Sequence, residues 1–115
     1  MSDMDITDTM EKVAMDIILH AGDARNYALE AVSFARKGDF SAAKDKIQCA
    51  RNSINDAHII QTNIIQADAR GIKHELSMLF VHAQDTLMTI MSEVTVFEEM
   101  VHMYQLILCG GDYVE

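Results

Sequence analysis

LSMLFVHAQDTLMTIMSEVTVFEEMVHMYQLIL, residues 76–108, places apolar side chains at Leu76, Phe80, Ala83, Leu87, Ile90, Val94, Phe97, Val101, Tyr104 and Leu108. The steps alternate between four and three without a break, which is the period of one helix face rather than of a strand. At 1.5 Å per residue the seam runs for about 50 Å. A single antiparallel bundle would use such a seam as its core. The same stretch also carries Met78, Val81, Met88, Met91, Met100 and Ile107 off the seam. Apolar residues on more than one face imply burial on more than one side. No Lys or Arg follows Lys73, although seven acidic residues do. Self-association through this helix accounts for the pattern; the plainer alternative is a Met-rich bundle that stays monomeric.

Outward from that stretch, glycine supplies the punctuation, because the 115 residues contain no proline. Gly38 in RKGDF and Gly71 in ARGIK follow helix-friendly runs with basic residues just before them, which fits helix C-termini. Asp39 and Ser41 are plausible caps for the next helix. Gly110-Gly111 closes the last periodic stretch. The spacing therefore predicts an all-α three-helix antiparallel bundle with helices over 7–36, 40–69 and 73–108. Residues 1–115 read as a single domain, with 1–8 and 109–115 as loose ends. The first helix shows a stripe of Ile6, Met10, Val13, Ile17, Ala21, Ala24, Ala28, Ala31 and Ala35, small enough toward its end for close packing. Gly22 interrupts it, either as a bend or as a tolerated glycine. The second offers Ala43, Ile47, Ala50, Ile54, Ala57, Ile60 or Gln61, and Ile64.

Composition narrows the partners. Eighteen acidic residues against nine basic ones give a net charge of -9, which argues against nucleic acid and against an anionic membrane surface. The N-terminus, MSDMDITDTM, lacks the basic region and apolar core of a signal peptide, and no apolar run reaches the roughly 18 residues of a membrane span. Cys49 and Cys109 form no framework or CxxC pair, so a reducing cytoplasm is the expected compartment. There is no Walker A loop, GxGxxG, HExxH or zinc-type Cys/His spacing. Any phosphoryl group this chain handles must come from another protein or a small donor.

Two side chains of the third helix carry chemistry. Asp85 lies about 200° from Ala83 around the helix and faces away from the seam, among Met78, Val81, Met88, Thr89 and Ser92. A carboxylate in an apolar stripe must be paired, protonated or metal-bound if that stripe is covered; otherwise it is an exposed aspartate. In a symmetric oligomer its copies converge on one axis, where a hard cation such as Mg²⁺ would cancel their repulsion. His82, three residues earlier, shares a flank with Asp85. It suits a nucleophile, a base or a ligand, and equally an ordinary surface or core histidine. His58, with Gln61 and Thr62 one turn on, suggests either a wet groove between the second and third helices or a satisfied core histidine. His20, His74 and His102 form no pattern.

The run VHAQDTLMT, 81–89, resembles the signature of the lactose/cellobiose class of enzyme IIA, a component of the bacterial phosphoenolpyruvate-dependent sugar phosphotransferase system. AGDAR at 21–25, GDFSAAK at 38–44 and AHIIQTNIIQADARG at 57–71 resemble the same family in kind and order, so the likeness covers roughly 10–107. The resemblance implies a homotrimer of three-helix subunits built around the third helix. It implies that His82 takes a phosphoryl group on Nε2 from phospho-HPr and passes it to a cysteine of a cognate enzyme IIB, during uptake of a β-linked disaccharide of cellobiose, chitobiose or lactose type. Asp85 of three subunits would share one Mg²⁺ per trimer, and Gln84 would support the phosphoryl group at most. No contact with the sugar itself is implied. Where many relatives have a second histidine after the aspartate, this chain has Thr86, a departure that leaves the nucleophile in place and puts in doubt a histidine-cluster role in tuning it. The surroundings of His82 are expected to be apolar for partner docking, with Met78, Leu79 and Ala83 as candidates. A competing reading is a helical adaptor that binds proteins through its Met-rich faces without phosphoryl transfer.

Overall fold

The structure, a computed structural model, describes residues 3–69 and 78–109, with side chains described over 10–67 and 78–109. It contains α1 (Asp3–Arg36), α2 (Phe40–Ala69) and α3 (Met78–Leu108), with no strand among the described residues. Arg25 meets Glu93 and Arg36 meets Tyr104, so α1 and α3 climb together. Lys46 meets Glu30 and Arg51 meets Glu98, so α2 runs the opposite way, packed mainly against α1. The bundle is therefore up-down-up, a rod with extents of 61 × 21 × 18 Å.

The helix boundaries follow from local chemistry. At the end of α1, Gly38 takes φ 86°, a left-handed conformation open to glycine at little cost. The Asp39 amide then donates to Phe34 O at 3.0 Å and the Gly38 amide to Ala35 O at 3.0 Å, which satisfies the last carbonyls of α1. Asp39 immediately caps α2, its Oδ1 accepting from the Ala42 amide at 3.2 Å. Ser41 sits exposed within the first turn and does not serve as the cap. Gly22 lies inside an unbroken α1. That helix begins at Asp3 rather than at 7. The expected terminus at Gly71 and the start of the third helix at 73 lie outside the described residues, as do 1–2 and 110–115 of the expected loose ends.

The core follows the predicted stripes at most positions, with Ala14 buried in place of half-buried Val13, and with Ile54, Ile64, Phe97 and Tyr104 half-buried at its margin. Six alanines of α1 (Ala14, Ala21, Ala24, Ala28, Ala31 and Ala35) are fully buried, and Ile17 fills the space between helices where the stripe is wider. Small side chains let α1 pack closely against both other helices. From α2, Ala43, Ile47, Ala50 and Ala57 are buried; Gln61 is also buried, with Ile60 half-buried beside it. From α3 come Phe80, Ala83, Leu87, Ile90, Val94 and Val101. The seam departs from expectation at its end. Leu108 is exposed, and Gln105 is buried one turn earlier. The reason is length: α1 ends at Arg36, level with Tyr104, so nothing of α1 remains to cover a side chain a turn further on.

Candidate functional site

The position of His82 is set by its neighbours. Phe80, Ala83 and Leu87 are buried against α1 and α2, and they fix the roll of α3 about its axis. His82, one residue before Ala83, is thereby turned out to the side and exposed. Gln84 and Thr86 are half-buried, and Asp85 is exposed on the face opposite the core. His82 and Asp85 thus share an accessible flank of one long helix, as their spacing predicted.

The surroundings of His82 are partly those expected. Met78, one turn below, is 85% exposed, and Leu79 is half-buried. Ala83 is fully buried and is not available to a partner, which corrects the expectation placed on it; its methyl is part of the bundle core. A contribution from α1 was not anticipated. Glu11, Lys12, Met15, Asp16 and Leu79 line one shallow depression. Met15 and Leu19 are exposed apolar side chains four residues apart on α1. Their i, i+4 spacing off the alanine stripe was the signal in the sequence, masked there by the stronger core pattern.

The outward stripe of α3 is apolar at Met78 (85% exposed) and Met88 (60% exposed), with Val81 half-buried and Asp85, Thr89 and Ser92 exposed. Among the described residues no three His, Cys, Asp or Glu side chains of one chain come together as a metal cradle. Asp85 offers two hard oxygens on an exposed stripe, and a hard cation held there would complete its shell with further oxygen donors, from water or from other copies. His58 is exposed on α2, so it is not a core histidine. His20 and His102 are half-buried, the latter with Nδ1 3.7 Å from Glu99, and His74 lies outside the described residues.

Cross-helix ion pairs reinforce the roll of α3. Arg25 holds Glu93 with both oxygens, Nε to Oε2 at 2.7 Å and Nη2 to Oε1 at 2.8 Å. These hydrogen bonds from the guanidinium hold the Glu93 carboxyl below its ordinary range and raise Arg25 in turn. Arg51 pairs with Glu98 on the other side of α3. Lys46 joins Glu30 at 2.9 Å and stacks 5.4 Å over the Tyr27 ring; its bond to Glu30 raises its pKa. Sequence reading did not single out these pairs, since spacing alone does not reveal which charges on different helices meet.

Comparison with known proteins places this geometry. The profile of a family described as the lactose/cellobiose-specific IIA subunit of the PTS system matches residues 12–105. The lichenan-specific phosphotransferase enzyme IIA component of Bacillus subtilis (strain 168) is 39% identical over 100 residues, covering 87% of this chain and 91% of that protein. The crystal structure of the PTS cellobiose-specific enzyme IIA from Bacillus anthracis superposes with a TM-score of 0.83 at 38% identity, over 88% of this chain and 93% of that one. A IIA(Chitobiose)–HPr complex of the Escherichia coli phosphotransferase system, solved in solution, gives a TM-score of 0.76 at 37% identity, over 85% and 95%.

Proposed function

This chain belongs to the lactose/cellobiose-specific IIA family of the sugar phosphotransferase system, and on that premise we propose that it is a phosphocarrier acting through His82. The observation that carries the reading is the display of His82: an exposed imidazole on a helix whose roll is fixed by buried Phe80, Ala83 and Leu87. A side chain that must meet two different proteins in succession needs access and a rigid mount, and it has both.

The chemistry asks little of this chain beyond positioning. The Nε2 lone pair of neutral His82 forms a bond to phosphorus as the donor's bond breaks, its electron pair leaving with the donor. In the second step the thiolate of a IIB cysteine forms the S–P bond, and the N–P electron pair returns to Nε2. The HPr complex of the chitobiose relative supports HPr as the donor. Exposed Met78, with Met15 and Leu79 at the depression beside it, offers an apolar contact, and Glu11 and Asp16 give it an acidic rim suited to a basic partner. Gln84, half-buried two residues on, would donate at most one hydrogen bond near the phosphoryl oxygens.

The outward stripe of α3 supports a homotrimer built around that helix, because Met78 and Met88 are large apolar side chains left in water by the single chain. Asp85 lies in the same stripe, and three copies meeting on an axis would supply the hard oxygen donors that Mg²⁺ takes. Bound there, the ion would offset the mutual repulsion of the carboxylates. The transported sugar is read as a β-linked disaccharide of the cellobiose, chitobiose or lactose type, and IIA would carry phosphate without touching it.

The test supplies phosphoenolpyruvate, enzyme I and HPr and follows acid-labile label on the chain. The parent takes up label and passes it to IIB; His82→Ala takes up none. Labelling of His82→Ala equal to the parent defeats the carrier reading and leaves the adaptor as the better account.

A further inference from the structure

A groove of about 240 Å³ opens between α2 and α3, because α2 packs mainly against α1 and leaves this flank less filled. Buried Ile47 and Val101 form its floor. At one end Arg51 pairs with Glu98. The two helices run in opposite directions. Lys44, two turns before Arg51, and His102, one turn after Glu98, therefore stand together at the other end. Gln48 lies on the wall between, its Nε2 donating to Asn52 Oδ1 at 3.0 Å, which leaves Oε1 as an acceptor. The lining holds two full cations against one carboxylate, in a chain whose net charge is -9. Around α3, Glu98, Val101 and His102 lie about 100–160° from Asp85, so the groove lies off the outer stripe that other copies would cover.

We propose that this groove binds a phosphorylated monosaccharide. Its length suits one, since Lys44 and Arg51 are about 10 Å apart along α2. Its volume, below the roughly 300–1,000 Å³ of sites for drug-sized ligands, suits nothing much larger. The phosphate lies at the Lys44–His102 end, where an ammonium and a ring N–H donate to its oxygens. Lys44 and His102 each already interact within the chain, and Arg51 uses an N–H on Glu98. An ammonium carries three donors and a guanidinium five, so both cations keep donors for a ligand. The sugar ring lays a C–H face on Ile47 and Val101. Its hydroxyls donate to Gln48 Oε1 and to the Glu98 oxygen that Arg51 does not hold. The carboxylate also orders the ligand, because in the reverse orientation the phosphate meets Glu98. Among the described residues no aromatic side chain lines the groove, so a nucleotide base finds nothing there to stack on. His102 is about 30 Å along α3 from His82, so this inference stands independently of the phosphocarrier reading.

The test titrates the full, isotope-labelled chain with glucose 6-phosphate and follows its amide and side-chain resonances. Glucose alone and inorganic phosphate alone serve as the comparison arms. Glucose 6-phosphate is expected to give saturable shifts at Lys44, Gln48, Arg51 and His102, at concentrations where neither comparison compound moves them. Lys44 is exposed, so Lys44→Gln should keep the fold, visible as unchanged resonances away from the groove, while binding weakens on the order of tenfold. Absence of saturable shifts with glucose 6-phosphate overturns the proposal. So does an equal response to inorganic phosphate, which would mark a site for a bare anion, and so does full affinity in Lys44→Gln.

Discussion

At the residue scale, display of His82 is the work of side chains that do no chemistry. The HAQD run was legible as a signature because its residue types are unusual in that order, whereas the bare spacing of His82 and Asp85 would fit many surface helices. Exposure was the missing quantity, and it depends on how α3 is rolled, which core residues and cross-helix ion pairs decide together. Glu93 is the clearest of these. Its carboxyl, held below the ordinary range by Arg25, contributes stability that is fully present above the unfolded carboxylate value of about 4.3 and is lost as pH falls through the lower folded value. Both side chains are partly exposed, Arg25 at 44% and Glu93 at 30%, so solvent limits the bidentate pair to about 0.5–1 kcal/mol. Glu93→Gln should lower the unfolding free energy by that amount at pH 7, with the gap to the parent closing below about pH 4. Urea unfolding at the two pH values checks this; a variant as stable as the parent at pH 7 shows that the pair contributes nothing.

At the element scale, helix identity and most of the core were legible because a period of 3.6 residues is dictated by the backbone and repeats over thirty or so positions. The alanine stripe of α1 and the seam from Phe80 to Val101, apart from half-buried Phe97, are found buried where the sequence placed them. The misassigned end of the seam, Leu108 exposed and Gln105 buried, had no local signal, because coverage there depends on where a different helix stops. The α1–α2 corner was readable in detail, and it yields a prediction. Gly38 has open space around its Cα, so an added methyl meets nothing, yet its φ of 86° is one that L side chains rarely adopt. Gly38→Ala should therefore cost about 1–2 kcal/mol through backbone strain alone. Thermal unfolding should register that loss, while label uptake at His82, at the other end of the bundle, stays at the parent level. A melting temperature equal to the parent's would mean that the corner relaxes out of the left-handed region.

At the scale of the whole molecule, the surplus of apolar residues becomes a matter of shape. A rod with a radius of gyration of 17.8 Å is far from the roughly 13 Å of a compact domain of this length. Its accessible surface is 7245 Å², against about 6300 Å² for a compact monomer of its mass. Three helices side by side cannot enclose the outer face of α3, and further copies of the chain would. Asp85 makes that assembly testable. Three carboxylates brought to one axis repel one another and resist desolvation, so without a cation they oppose the very contact that Met78 and Met88 favour. Replacing the carboxylate with an isobutyl group removes the repulsion and adds apolar surface. Asp85→Leu should then keep or strengthen the assembly in chelator, where the parent weakens, and should no longer respond to added Mg²⁺. Sedimentation of both chains, with and without the ion, reads the difference directly. If the Asp85→Leu assembly depends on Mg²⁺ as the parent does, the ion is not held by this carboxylate, and the charge on the outer stripe must be balanced elsewhere in the assembly.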